Sequence, residues 1–144
     1  MPEYIPTKIG WVREQVELYE SSGGTAGTTL LDTGLPCVII THLGNKTGGI
    51  RKVPLMRVKV SEGYVLVGSD GGALGNPAWV YNFRANSDVE LRDETEVFKM
   101  RLREVNDDTE REYLWQAAVD AFPTYNDYQA KTPRKIPLFI AELV

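Results

Sequence analysis

The strongest constraint on the fold is a series of short apolar runs that have strand character and follow one another across tight turns. Six such runs occupy residues 37–43, 53–60, 64–69, 89–93, 96–105 and 138–143. The turns Ser-Glu-Gly at 61–63 and Glu-Thr at 94–95 leave room only for hairpins, because parallel strands need a crossover of a dozen or more residues. The pattern therefore predicts a mainly antiparallel sheet.

Helical patterns flank these strands. Helices are predicted over 7–20, over 78–86 and from 107 to about 122. The last of these begins at a capping box formed by Asp107 and Glu110, and we expect a loop over 123–137. A chain of 144 residues suits one domain with a real core. The sequence predicts a single domain over 1–144, a small antiparallel barrel of the mainly β (α+β) class with helices packed outside it.

The run 53–60 changes its alternation in the middle. Its apolar residues in 53–55 fall on one face of a strand, and those in 56–60 fall on the other. A β-bulge shifts a strand by one residue, and proline is tolerated at a bulge or a strand end. We therefore predict one continuous strand with a bulge near Pro54.

Composition narrows the classes of function. The formal net charge is −4, which argues against binding a long polyanion such as a nucleic acid. One cysteine, Cys37, and one histidine, His42, leave too few ligands for a zinc site, so we expect no metal and interpret both as structural. The longest apolar run is 35–40 and the N-terminus lacks a signal-peptide pattern. We predict a cytoplasmic protein without membrane association.

A basic, glycine-rich stretch, LGNKTGGIRKVPL at 43–55, joins two of the predicted strands. Between Asp32 and Glu62 there are five cations and no carboxylate. Glycines let backbone N–H groups approach an anion closely, and lysine and arginine add charge-assisted hydrogen bonds. The stretch predicts a site for a small anion, although it lacks the spacing of a nucleotide-triphosphate loop. A hairpin turn with solvated cations is the alternative.

Two further clusters could meet a ring or an electron acceptor. Residues 68–86 place a glycine-rich loop ahead of a helix that holds Trp79, and such a loop can cradle a flat polar ring. Residues 122–137 hold Tyr125 and Tyr128, whose hydroxyls can donate or accept a proton. Ordinary packing of core aromatic residues is the alternative for both clusters.

The order of the three clusters resembles a known family. From about Pro36 to the C-terminus, GNKTGGIRKVPL, VLVGSDGGALGNPAWVYNFRANSDVEL and FPTYNDYQAKTPRKIP follow motifs of the deazaflavin-dependent nitroreductases. These are actinobacterial coenzyme F420-dependent reductases of split-barrel, FMN-binding-like fold. The resemblance implies a split β-barrel that transfers a hydride from reduced F420 to a conjugated acceptor such as a quinone, an enone or a nitroaromatic. Residues 1–24 resemble the variable leader of the family.

The resemblance also implies roles for individual residues. Coenzyme F420 has an anionic phosphodiester and an oligoglutamate tail, which Lys46, Thr47 and Arg51 would hold, while Asn82 would contact the cofactor through its side chain. The expected catalytic residues are Tyr125, Tyr128 and Ser69. The residues expected to bind the cofactor are Asn45, Lys46, Thr47, Arg51, Lys52, Val53, Pro54, Leu55, Met56, Val67, Gly68, Ser69, Asp70, Ala78, Trp79, Val80, Tyr81, Asn82 and Tyr125.

Three positions depart from the family pattern. Asn45 and Asp70 stand where many relatives carry cations, and Phe122 stands where some carry a third tyrosine, which favours a more apolar acceptor site. Two alternatives stay open: a flavin mononucleotide (FMN) enzyme on the same barrel, and a non-catalytic barrel that binds a cofactor, heme or lipid. The predicted partner is a small-molecule electron acceptor, and the predicted assembly is a monomer or a homodimer.

Overall fold

The structure is a computed structural model that describes residues 2–30 and 33–144. Within these ranges, seven strands form one sheet: β1 (Cys37–Leu43), β2 (Ile50–Met56), β3 (Lys59–Val60), β4 (Gly63–Val67), β5 (Asp88–Asp93), β6 (Glu96–Glu104) and β7 (Leu138–Leu143). Four α-helices in the same ranges flank the sheet: α1 (Gly10–Ser21), α2 (Ala78–Ala85), α3 (Asp108–Ala121) and α4 (Thr124–Lys131). The strand order is β2-β1-β5-β6-β7-β4-β3, with every pair antiparallel.

The sheet curls back on itself, so that the chain after β2 meets β4. β2 contacts β4 directly, although the two stand far apart in the strand order. The main core includes Val38, Ile40, Leu66, Phe83, Leu91 and Phe139. This curled antiparallel sheet confirms the predicted fold class, with seven strands instead of six.

Helices cover the other face of the sheet. α3 packs through Leu114 and Ala118, and α1 packs through Val16 against Ile39 of β1. β1 is therefore buried on both faces, which explains why the start of its sequence is continuously apolar. Each fully buried aliphatic side chain of this kind contributes roughly 1.5–3 kcal/mol to folding.

The helix boundaries follow local capping chemistry. A carboxylate oxygen of Asp107 accepts a hydrogen bond from the N–H of Glu110 at 2.9 Å, which confirms the predicted start of α3. α1 begins at Gly10, after the extended residue Ile9, and not at residue 7 as predicted. Thr7 lies in the segment before the helix, where its hydroxyl accepts from the N–H of Ile9 at 3.2 Å. Among the described residues, no helix is long and apolar enough to cross a bilayer.

The predicted continuous strand over 53–60 is wrong. β2 ends at Met56, and β3 starts at Lys59 as the partner of β4. The change of alternation thus marks the passage from one strand to another and not a bulge. Pro54 lies inside β2 opposite Ile39, where its missing N–H is tolerated because β2 stands at one end of the strand order.

The predicted loop over 123–137 is also wrong, because its first half forms α4. α4 buries one residue, Tyr125. Its sequence therefore lacks the repeated apolar positions from which a helix is predicted. The helix lies against the short 3₁₀ turn at 70–72, where a Cβ on Gly72 would come within 2.8 Å of the Tyr128 carbonyl oxygen. Tertiary packing therefore stabilises α4 more than its own sequence pattern does.

Candidate active site

Two adjoining cavities lie beside β2. The first, here called the inner pocket, has a volume of about 490 Å³ and is bounded by β2, the loop after β4, the start of α2, the α3–α4 corner and the segment that leads into α1. The second, the turn pocket, has a volume of about 690 Å³ and lies between the β1–β2 turn and α2. Arg51, Ala78 and Asn82 line both cavities, so the two form one cleft.

The cleft brings together nearly all of the predicted site residues. The turn pocket is lined by Asn45, Lys46, Thr47, Arg51, Ala78, Tyr81 and Asn82. The inner pocket is lined by Arg51, Lys52, Val53, Pro54, Leu55, Met56, Val67, Ser69, Asp70, Ala78, Trp79, Asn82, Tyr125 and Tyr128. Gly68 and Val80 are not brought to the cleft. Val80 is fully buried in the main core, and a Cβ on Gly68 would lie 2.9 Å from the Val80 side chain.

Several residues of the inner pocket were not predicted from the sequence. Thr7, Ile9, Trp11 and Val12 reach it from α1 and the segment before it. Ile9 and Trp11 are 57% and 44% exposed, so they lie away from the buried stripe of the helix. This pair of apolar residues outside the buried stripe could have predicted a pocket wall from the sequence, because exposed apolar residues that cluster often line a binding site.

The cations of the β1–β2 turn and of β2 and its end differ in whether a carboxylate pairs with them. Lys52 is held by Glu20, with Nζ 2.6 and 2.8 Å from the two carboxylate oxygens, and Arg57 pairs with a carboxylate of β5 at 2.9 Å. The side chains of Lys46 and Arg51 make no ion pair or hydrogen bond within 2–30 and 33–144. Within the described ranges, three of the five cations in the stretch without carboxylates are therefore unpaired: Lys46, Arg51 and Lys59. Of these, Lys46 and Arg51 line the turn pocket.

The β1–β2 turn is held by hydrogen bonds of its own and by one bond to α2. The N–H of Gly44 donates to the Gly49 carbonyl at 2.8 Å, and the N–H of Gly48 donates to the Gly44 carbonyl at 2.9 Å. The N–H of Asn45 donates to the side-chain oxygen of Asn82 at 2.9 Å. Since that oxygen already has a partner, the NH₂ group of Asn82 is the part of its side chain left for a ligand.

The loop after β4 presents a hydroxyl to the inner pocket. Ser69 is 8% exposed and lines the cavity, and its Oγ has no hydrogen-bond partner among the residues that the structure describes. The next three residues have positive φ angles, 45° at Asp70, 64° at Gly71 and 81° at Gly72. This left-handed stretch suits glycine and strains Asp70, and it turns the loop along the wall of the pocket.

An aromatic cluster forms the opposite wall. Tyr125 and Tyr128 lie one turn apart on α4 with ring centroids separated by 6.2 Å, and the Phe122 ring meets the Tyr125 ring edge to face at 5.1 Å. Tyr125 is 5% exposed, and burial raises the pKa of its hydroxyl well above the usual value. The hydroxyl therefore stays protonated at neutral pH and can donate a hydrogen bond to an acceptor oxygen.

His42 lines the inner pocket from β1 but carries no charge there. It is 4% exposed, its ring meets Phe83 edge to face at 5.1 Å, and its Nδ1 lies 3.3 Å from the Ile40 carbonyl oxygen. Burial lowers the pKa of His42 to about 4, so the ring is neutral at pH 7. This agrees with its structural interpretation and excludes it as a cation for an anionic ligand.

A curled antiparallel sheet whose cleft has free cations at one end and a buried tyrosine at the other is the architecture of a split-barrel protein that binds an anionic cofactor. The chain belongs to the F420H(2)-dependent quinone reductase family, whose sequence model matches residues 11–142. Its cofactor is coenzyme F420, and the protein is an F420H2-dependent reductase. The predicted family, enzyme class and cofactor are thereby confirmed.

Individual relatives agree with this assignment. The F420H(2)-dependent quinone reductase of Mycobacterium tuberculosis is 29% identical over 126 residues, which cover 85% of this chain and 83% of the relative. The solved F420-H2 dependent reductase FDR-A is 43% identical with a TM-score of 0.69, and the match covers 79% of this chain and 98% of that one. A second solved relative, a domain-swapped dimer, is 42% identical with a TM-score of 0.72, covering 94% and 100%.

Proposed function

We propose that the protein reduces a quinone-like conjugated acceptor in the inner pocket, with the tail of F420 held in the turn pocket. Enones and nitroaromatics belong to the same acceptor class, because they too are flat, conjugated electrophiles. The observation that carries the proposal is the division of the cleft: Lys46 and Arg51 are free at one end, while Tyr125 and Phe122 close an aromatic wall at the other.

The residues at the turn pocket fit the anionic part of F420. Lys46 and Arg51 offer two charges that no described carboxylate neutralises. The backbone N–H groups of Lys46 and Thr47 have no hydrogen-bond partner in the described chain either, so they are available to the same anion. Such charge-assisted hydrogen bonds are worth roughly 1.5–3 kcal/mol each when well placed.

The part of the inner pocket formed by β2, the loop after β4 and α2 fits a flat ring. Val53, Leu55 and Trp79 supply apolar surface, and the hydroxyl of Ser69 and the amide nitrogen of Asn82 are free to bond the polar edge of a ring. The bound cofactor supplies a two-electron hydride donor. The protein binds and orients it, and holds water away from the reacting face.

The aromatic wall would orient the acceptor. We assign to Tyr125 a hydrogen bond to the acceptor oxygen, because its hydroxyl is protonated and lines the inner pocket. Its raised pKa makes Tyr125 a poor acid, so the proton that completes the reduction comes from Tyr128, which is more exposed, or from solvent. Phe122, Trp11 and Val12 add apolar surface and favour a hydroxyl-poor acceptor.

The test is a fluorescence titration of the protein with F420 and, in parallel, with FMN. Tight binding of F420 and weak binding of FMN are expected. The loaded enzyme is then given reduced F420 and one member of each class, a quinone, an enone and a nitroaromatic. Reduction of the quinone supports the proposal, whereas tight F420 binding without reduction of any of the three would contradict it.

The assembly of the chain stays a prediction, a monomer or a homodimer. One solved relative is a domain-swapped dimer, which supports the homodimer for this chain. Light scattering on the purified protein at several concentrations separates the two.

A further inference from the structure

One arginine outside the cleft holds the loop that forms its wall. The guanidinium of Arg134 donates from Nε to the Ala73 carbonyl at 2.8 Å, from Nη1 to the Gly68 carbonyl at 3.1 Å, and from Nη2 to the Ser69 carbonyl at 2.6 Å. Nη1 also donates to the side-chain oxygen of Asn76 at 2.8 Å. Arg134 itself lines neither pocket and makes no salt bridge within the described ranges. Its planar guanidinium donates mainly to backbone carbonyl oxygens and not to a carboxylate.

The segment between these carbonyls is the strained one. Asp70, Gly71 and Gly72 have left-handed φ angles in succession, and for Asp70 this conformation is unfavourable and persists only where the surrounding structure holds it. Arg134 bonds the carbonyls of Gly68 and Ser69 before the segment and that of Ala73 after it. It therefore fixes both ends of the stretch whose residues 69–71 line the inner pocket.

The same arginine is tied to the helix that holds the tyrosines. On α4, Gln129 donates from Nε2 to the Arg134 carbonyl at 2.8 Å and accepts from the N–H of Ile136 at 3.1 Å. Lys131 of α4 donates to the Gly71 carbonyl at 3.3 Å. The loop and α4 thus form a single hydrogen-bonded unit with Arg134 at its centre.

We propose that Arg134 is a positioning residue that sets the distance and orientation between the loop at 69–71 and Tyr125, and so between the cofactor ring and the acceptor. The inference rests on the proposed function for the identity of the two ligands. Arg134 lines neither pocket, so its effect on the ligands is indirect and passes through the loop and α4. A lysine at this position could reach at most part of the set of oxygens, because it lacks the planar fork.

The test compares Arg134→Met and Arg134→Lys with wild type, and with Arg103→Met as the matched control. The guanidinium of Arg103 is also engaged, by the carboxylates of Glu110 and Glu142, but Arg103 lines neither pocket and bonds no residue of the loop at 68–73. Four quantities are measured: the midpoint of thermal unfolding without cofactor, amide hydrogen exchange of 69–73, the Kd for F420, and kcat and KM for a quinone.

Arg134→Met is expected to speed exchange at 69–73, raise the Kd for F420 about 5-fold and lower kcat about 10-fold, a loss of the order of one hydrogen-bonded positioning contact. Arg134→Lys should recover only part of both losses. Arg103→Met should leave Kd and kcat at wild-type values even where it lowers the unfolding midpoint.

Three results would overturn the inference. One is a lower unfolding midpoint for Arg134→Met with unchanged Kd and kcat, which is what a merely structural arginine predicts. Another is complete recovery by lysine, which would show that charge suffices. If Arg134→Met does not fold, the inference would be overturned by an Arg134→Lys variant whose Kd and kcat equal those of wild type. Failure of wild type to reduce quinones would instead contradict the proposed function, and the exchange and Kd comparisons would still test Arg134.

Discussion

The turn pocket and the inner pocket are two ends of one cleft, and they recognise a ligand by different physical means. The turn pocket offers charge, from Lys46, which is exposed, and Arg51, which is half-buried. Dissolved salt screens the attraction of such charges for an anion. The inner pocket offers shape: its aromatic wall and its loop are held by close contact, as between Gly72 and the backbone of Tyr128. At the turn pocket we expect the Kd for the cofactor to change gradually with charge and ionic strength. At the inner pocket we expect a change of packing to cause a large loss of stability and of kcat.

The largest expected effect comes from adding one methyl group behind the inner pocket. Gly72→Ala combines a φ of 81° with a Cβ only 2.8 Å from the Tyr128 carbonyl oxygen, so α4 must move or the loop must rearrange. We expect a loss of about 2–4 kcal/mol in the free energy of unfolding and a fall in kcat of about 10-fold or more. Urea denaturation and steady-state kinetics measure both.

Gly71→Ala is the matched control, because Gly71 has a φ of 64° but no atom of the described residues lies within 4 Å of a Cβ there. It should cost only about 1 kcal/mol, the backbone strain alone. Equal losses for the two variants would show that packing of α4 on the loop does not fix the inner pocket.

Acid should weaken the inner pocket through His42. In the folded protein its pKa is about 4, whereas an unfolded chain has a histidine pKa of about 6.5. The unfolded state therefore binds the proton more readily, so the contribution of His42 to stability is complete above about pH 6.5 and falls by about 3 kcal/mol as the pH drops to 4. Urea unfolding at pH 7, 6 and 5 measures the slope. His42→Gln should flatten it, and an unchanged slope would assign the loss to other groups.

Charge at the turn pocket gives the next effect. Arg51→Ala should weaken F420 binding by about 10-fold, one charge-assisted contact, and the wild-type Kd should rise with salt more steeply than that of the variant. Lys52→Met is the comparison, since Glu20 already holds that cation; we expect it to change Kd by less than about 3-fold. Fluorescence titration at two ionic strengths decides. Equal losses in the two variants would show that the free cation has no special part in binding.

The smallest expected effect is that of a single hydroxyl. Tyr125→Phe should lower kcat for a quinone by about 3- to 10-fold, the range for one neutral hydrogen bond, and leave the Kd for F420 nearly unchanged. Tyr113→Phe serves as the control, because Tyr113 is 53% exposed on α3 and lines neither pocket. A rise in the Kd for F420 that matches the fall in kcat would place Tyr125 against the cofactor and not the acceptor.

The strands, the turns and most cleft residues could be predicted because their signals are local. Alternation, hairpin spacing and the capping carboxylate of Asp107 each act within a few residues of the chain, and the structure confirms the cap and most of the strands. α4 and the break between β2 and β3 were missed for the opposite reason. α4 is stabilised by its contact with residues 70–72, and the break occurs where the chain leaves β1 to join β4, which no pattern within 53–60 records.

Within the cleft, the sequence identified the residues better than their states. Lys46, Arg51 and Lys52 look alike in the basic stretch, and only the fold brings Glu20 to Lys52. Likewise the amide of Asn82 was expected to face the cofactor, whereas the fold commits its oxygen to the N–H of Asn45. The contributions of Ile9 and Trp11 were not predicted, since they depend on how α1 is laid against the sheet.

The sequence alone determined the antiparallel sheet, because strand alternation and turn length are properties of neighbouring residues. The family and the cofactor followed from the resemblance of its glycine-rich motifs to those of known proteins. The tertiary structure decided which cations are free, which tyrosine is buried in the wall of the inner pocket, and which arginine holds the loop of that pocket. Those properties arise from pairs far apart in the chain, such as Lys52 with Glu20, 32 residues away, or Arg134 with Gly68, 66 residues away. Ion pairing, burial and backbone support depend on distances in space, and only the folded chain sets those distances.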